Sequence, residues 1–223
     1  MLRSVSLIAG VVVLALGGWF LTQRGGTVSV PDLAPISAAE AQEIDTSRVL
    51  EMVLGEDSAP VTVIEYASFT CPHCANFHNN VFPQLKADYI ETGKVKFIYR
   101  EVYFDRFGLW AGMVARCAGP MRYFGVTEML FDQQADWARA GGGEPGQIAA
   151  ALKKIGLAAG LEAETLDACM QDAEMAQAMV AVYQQNAEAD NVTATPSFII
   201  DGEPYSNMSY ADFRKVLDEK LGG

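Results

Sequence analysis

Positive charge is scarce in this chain of 223 residues: 16 Lys and Arg stand against 28 Asp and Glu, a formal net charge of −12. No basic stripe interrupts the acidity. A phosphate backbone is held by clustered Lys and Arg, so nucleic acid is excluded as a partner, and the acidity reads as a solvated, solubilising surface. Histidine is nearly missing too, with two residues. Both of them, His73 and His78, crowd with Cys71 and Cys74 into one short segment. Neighbours so close in sequence do not readily supply four convergent tetrahedral ligands, so neither a metal nor any other cofactor is expected. Internal repeats are absent. With 50% of its residues apolar, the chain can bury a real core and is long enough for one full-sized domain with accessories.

Long apolar runs are also lacking, with one exception. Val5 to Leu21 is nearly uncharged and is flanked by Arg3 and by Gln23-Arg24, so residues 1–24 read as an export signal or an N-terminal membrane anchor. The anchor is preferred, because the nearest small-residue cleavage triplet, Ala15-Leu16-Gly17, still has Trp19, Phe20 and Leu21 after it. Residues 25–45 carry Pro31, Pro35 and small residues without apolar periodicity, and read as a flexible linker. Residues 46–223 are then an exported folded domain, placed where disulfides persist.

Within that domain, Val61 to Phe69 is β-branched and aromatic after the punctuation of residues 55–60, and predicts a buried strand. Cys71-Pro72-His73-Cys74 follows at once. Pro72 suits the first position of a helix, and Cys74, Phe77, Val81 and Leu85 continue one apolar face, with Pro83 expected to kink it. Lys94 to Tyr99 alternates as a second strand, which makes a βαβ unit. From Asp105 to Asp190 the texture becomes helical, interrupted at Gly141-Gly142-Gly143 and over Gly156 to Gly160. Ser197 to Ile200, a turn at Asp201-Gly202, a short strand near Pro204-Tyr205 and a helix capped by Ser209 close the chain as a ββα half.

Two cysteines three residues apart in a first helical turn lie within reach of a disulfide. Cys71 occupies the capping position, where its sulfur faces the free amides of His73 and Cys74 and the positive end of the helix dipole, so its thiolate is favoured. Cys74 is one turn in and shielded. Cys71 is therefore expected to form the mixed disulfide with a client, and Cys74 to resolve it. A charged or hydrogen-bonding His73 would stabilise the thiolate further, the alternative being an exposed histidine with no such role. A purely structural Cys71–Cys74 staple is the competing reading of the pair.

At this point the chain resembles the DsbA family of periplasmic thiol-disulfide oxidoreductases, over roughly residues 49–221. The resemblance rests on Ala59-Pro60-Val61-Thr62-Val63 leading through Glu65 and Phe69 to Cys71-Pro72-His73-Cys74, on Phe97-Ile98-Tyr99-Arg100-Glu101, and on Thr195-Pro196-Ser197-Phe198-Ile199. It implies an α/β thioredoxin fold with a helical insert, about residues 105–190, between the βαβ and ββα halves. It further implies that Pro196 is a cis-proline lying against the active disulfide, leaving the Thr195 backbone free to pair with an extended client. Glu65, six residues before Cys71, would be a buried acid exchanging protons with Cys74; an outward or salt-bridged strand carboxylate is the alternative. Thr195 itself resembles the isomerase and reductase relatives as much as the oxidases.

Cys117 and Cys169 both fall in the helical insert. With Cys71 and Cys74 paired, the remaining connectivity joins them as a structural disulfide worth about 4 kcal/mol in the chain-entropy account, against the alternative of two buried free thiols. The implied partners are reduced exported client proteins and, by resemblance, a quinone-linked thiol oxidase of the membrane that reoxidises the pair. A monomer in the periplasm, tethered or free, introducing disulfides is the expected assignment. A reductase or isomerase kept reduced by a membrane donor, and a tethered client-binding or chaperone module, are the rivals.

Overall fold

The computed structural model describes residues 44–222. The expected signal or anchor at residues 1–24, and the linker up to residue 43, lie outside the described residues. Among the described residues no helix is long and apolar enough to cross a membrane.

A five-stranded sheet in the order β1-β3-β2-β4-β5 organises the domain. β2 (Val61–Ala67) lies at its centre and pairs in parallel with β3 (Val95–Glu101), with Val61 opposite Val95 and Ala67 opposite Glu101. Parallel neighbours need a crossover, and here it is helical. α1 (Pro72–Asn80) is followed by a short α2 (Phe82–Leu85) and a π-helical turn, Lys86–Ile90. The expected kink is a full break. Pro83 has no N–H to donate, and the chain restarts with the amides of Gln84 and Leu85 both bonded to the Val81 carbonyl.

β1 (Met52–Leu54) was not foreseen. It pairs antiparallel with β3, Met52 opposite Tyr99, and three residues are too few to show a period of two. Gly55 turns the chain out of it at φ 89°, and a Cβ there would stand 2.5 Å from the Val95 carbonyl oxygen, so only glycine fits.

Between β3 and β4 (Ser197–Ile200) runs the helical insert: α3 (Arg106–Cys117), α4 (Pro120–Asp132), α5 (Gln134–Trp137), α6 (Pro145–Ala158), α7 (Ala163–Gln171) and α8 (Ala173–Ala189). Asp105 caps α3 by accepting from the amides of Phe107 and Gly108. The expected break over Gly156 to Gly160 begins later than read. Gly156 is inside α6, where a Cβ would come 2.6 Å from Leu166, so this glycine permits close packing of α6 on α7, and Gly160 alone takes the left-handed turn.

Two devices lock the insert. Cys117 and Cys169 are disulfide-bonded, joining the end of α3 to α7. Arg116 makes a two-pronged contact with Glu101 of β3, at 2.7 and 2.6 Å, and the Tyr123 hydroxyl donates to the same carboxylate at 2.8 Å. With Glu101 buried and the Arg116 side chain only 9% exposed, the fork geometry offsets their desolvation.

After β4, Asp201 and Gly202 both have positive φ and form the hairpin turn into β5 (Glu203–Ser206). α9 (Tyr210–Lys220) is capped by Ser209, whose hydroxyl accepts from the Asp212 amide. The main core gathers Phe77, Phe97, Phe131, Trp137, Phe198 and Phe213 between the sheet and these helices.

Candidate active site

β2 is the central strand, and the chain leaves its C-terminal end through Ser68, Phe69 and Thr70 to Cys71 at the start of α1. This connection is pinned from three sides. The Cys71 amide donates to the Ser68 carbonyl, the Thr70 hydroxyl donates to Asp105 at 2.8 Å, and Gln134 Nε2 donates to the Phe69 and Cys71 carbonyls at 2.8 and 2.9 Å. Gln134 belongs to α5 and is buried, so the insert itself holds the site.

Pro72 occupies the first turn of α1, with Cys71 as the extended capping residue. Both cysteines are free thiols, Cys71 partly exposed and Cys74 wholly buried. The Cys71 thiol is lowered from 9.0 to about 5. The Cys74 thiol beside it contributes most, then the Thr195 hydroxyl, then the Cys74 and His73 amides, all against the opposing effect of burial. That order departs from the expectation. The helix-start amides face the sulfur without completing a capping hydrogen bond, and they act behind two side chains. His73 contributes through its backbone; its side chain is exposed and has no hydrogen-bond partner among the described residues. Cys74 is pushed the opposite way, well above an ordinary thiol, by burial, by Cys71 and by the charge of Glu65.

Thr195 and Pro196 come from the other side of the sheet. β4 pairs antiparallel with β2, Tyr66 opposite Ser197, and Phe198 packs on Phe77 of α1 with ring centres 4.8 Å apart. The residues just before β4 are thereby set against the end of β2. The Thr195–Pro196 peptide is cis, Pro196 is buried, and the Cys71 thiol donates to the Thr195 carbonyl at 3.5 Å.

Glu65 is 0% exposed on β2. Its Oε2 lies 2.9 Å from His78 Nε2, and its Oε1 has no partner among the described residues. His78, 6% exposed, is stacked on Phe131 with ring centres 4.2 Å apart. His78 has no expected role from its residue pattern beyond membership of the discounted metal cluster. The available signal was its position four residues after Cys74, hence on the same helical face. Engaged by Glu65, His78 does not converge with the cysteines on any ion, and among the described residues no group of three or more His, Cys, Asp or Glu side chains could hold a metal.

Residues 47–219 match the thioredoxin family. A Rickettsia prowazekii (strain Madrid E) protein described as a candidate protein-disulfide oxidoreductase is 33% identical over 172 residues, 77% of this chain and 61% of that protein. The chain thus spans about three fifths of the length of the Rickettsia relatives it matches. Disulfide bond formation protein D of Bacillus subtilis (strain 168) is 28% identical over 77% of each chain. The crystal structure of an alpha-DsbA protein of Wolbachia pipientis superposes with a TM-score of 0.69 at 29% identity, covering 79% of this chain and 96% of that one.

Proposed function

Because this chain belongs to the thioredoxin family, on its DsbA-like branch, we propose that it is a thiol-disulfide oxidoreductase that introduces disulfides into exported proteins through Cys71 and Cys74. The observation that carries the reading is the split between the two thiols. Cys71 is accessible and ionises near pH 5, whereas Cys74 is sealed and resists ionisation. Stabilising the Cys71 thiolate favours the reduced pair and so makes the oxidised pair a better acceptor of electrons.

In the proposed cycle a client thiolate attacks Cys71 Sγ, and the Cys71–Cys74 bond breaks with its electron pair going to Cys74, which takes a proton. The second client thiolate then attacks the client sulfur of the mixed disulfide, forming the client disulfide and expelling Cys71 as a stable thiolate. This corrects the expected division of labour. An attack by Cys74 on the mixed disulfide returns the enzyme to its oxidised form and releases the client unchanged, so Cys74 resolves in the reducing direction and is the leaving group in the oxidising one.

Thr195 is assigned to the client's backbone and Pro196 to holding that segment against Cys71, with the 3.5 Å contact in support. Glu65 is assigned to proton exchange with Cys74, supported by its complete burial and its effect on that thiol. Partners in this reading are reduced clients in the periplasm and a quinone-linked membrane oxidase that takes two electrons from the reduced pair.

Equilibrating the full chain against glutathione tests the direction. A couple more oxidising than glutathione supports the oxidase; one more reducing assigns the reductase instead. A Cys74→Ser chain that trapped no disulfide-bearing client through Cys71 would remove the mechanism altogether.

A further inference from the structure

Cys74 exchanges a proton whenever its disulfide opens or closes, yet it has no contact with solvent. Neither does Glu65, the acid whose charge acts on it. A proton passed between these two would have nowhere to go. Among the described residues the Glu65 carboxylate has one polar contact, from Oε2 to His78 Nε2 at 2.9 Å. His78 also lines a cavity of about 320 Å³, walled by Leu54, Phe82, Phe124 and Thr127, with the exposed residues Pro83 and Glu128 at its rim. That volume holds several water molecules. Thr127 Oγ1 is buried there without a partner among the described residues.

We infer that His78 is the proton exit of the buried cysteine: it relays protons between Glu65 and water in the cavity that His78 lines. The inference rests on the Cys71–Cys74 chemistry proposed above. When Cys74 attacks a disulfide at Cys71, its S–H proton passes to Glu65, Glu65 returns one proton to His78, and His78 releases one to the cavity; when the enzyme disulfide is opened by a client, each transfer runs in reverse. One proton crosses for each bond made or broken at Cys74. His78 touches no reacting sulfur and acts through Glu65.

From β2 the His78 imidazole faces Glu65 and from β3 Tyr99, whose hydroxyl burial keeps protonated, while Cys74 precedes it by four residues on the same helix. Across the cavity stand Lys86 and Glu91, 3.7 Å apart, and Glu128 of α4. The aromatic rings of Phe131, Phe77 and Phe82 hold the imidazole in place without titrating. Proton transfer by a positioned group accelerates such a step by about a hundredfold or more.

Dithionitrobenzoate separates the steps. Added to the reduced full chain, it releases a first thionitrobenzoate when Cys71 attacks and a second when Cys74 closes the disulfide. His78→Gln, which keeps a hydrogen-bond donor for Glu65 but carries no proton, should leave the first release unchanged and slow the second about a hundredfold. In His78→Ala, imidazole should enter the space and restore the second release, while pyrazole, equal in size but far less basic, should not. An unaltered second release in His78→Gln, or equal rescue by the two azoles, overturns the relay. Absence of the first release refutes the Cys71 reading instead, so the two failures are distinct. Imidazole nitrogen resonances of the unsubstituted protein supply an arm free of folding defects: the His78 titration should move between the oxidised and reduced forms, and an identical titration in both overturns the inference.

Discussion

The Cys71 sulfur and the Thr195 carbonyl oxygen, 124 positions apart in the chain, meet at 3.5 Å. Neither residue lies in a regular element. Their contact is set by the antiparallel register of β4 on β2 and by the packing of Phe198 on Phe77, which together fix where one strand stops and the other begins.

The acidity of Cys71 can be read directly. The thiolate is the reactive form, so alkylation by iodoacetamide should run at constant rate from neutral pH to about 6 and fall to half near pH 5. Linkage gives a second readout with a definite sign. A depressed pKa stabilises the folded reduced form fully above the ordinary thiol value of 9.0, and that stability is lost as pH falls through about 5. Thermal unfolding should therefore show the reduced form losing stability relative to the oxidised form between pH 9 and pH 5. An alkylation midpoint near 9 would contradict the assignment.

Thr195→Val removes the hydroxyl that ranks next to the Cys74 thiol in holding Cys71 down, and leaves the backbone carbonyl in place. The Cys71 midpoint should rise towards the ordinary thiol range without reaching it, because Cys74 and the helix-start amides remain. Ultraviolet thiolate absorbance against pH measures this, and the couple should become less oxidising in parallel.

Gln134→Leu tests the bracing of the active-site connection. It strips the donor from two inward carbonyls, those of Phe69 and Cys71, while approximating the side-chain volume. Leaving buried acceptors unpaired costs about 1–3 kcal/mol, to be seen as a lower midpoint in chemical denaturation. Unchanged stability would show that Gln134 is not a brace.

Replacing Cys117 and Cys169 together by Ala opens a loop of 52 residues. The chain-entropy account gives about 4 kcal/mol at most, and a melting temperature lower by roughly 2–4 °C for each kcal/mol lost. The Cys71 alkylation profile should not move, since neither cysteine of that disulfide contributes to its ionisation.

Much of this arrangement was legible in the residues. β2, the helix opened by Pro72, β4 and the capped last helix have patterns long enough, or punctuation firm enough, to read, and Cys71-Pro72-His73-Cys74 marked the start of that helix as the candidate site. What escaped notice depends on pairs distant in sequence. Arg116 finds Glu101, Gln134 finds Phe69 and Cys71, and Glu65 finds His78, and no local period announces any of these contacts. β1 escaped because three residues carry no periodicity. The ranking of influences on Cys71 was misjudged for a related reason: a helix start is visible in one dimension, while Thr195 arrives only through tertiary packing.

The placement of the insert has its own consequence. Its chain departs from β3 and comes back as β4, and these two strands flank β2 on opposite sides, so the whole excursion is hung from the two neighbours of a single strand. The ladders that fix Thr195 beside Cys71 belong to those three strands alone. The outer helices can therefore be lengthened, trimmed or reshaped without touching those ladders, provided a brace equivalent to Gln134 is kept. The Cys71 sulfur and the Thr195 carbonyl would stay side by side through every such change.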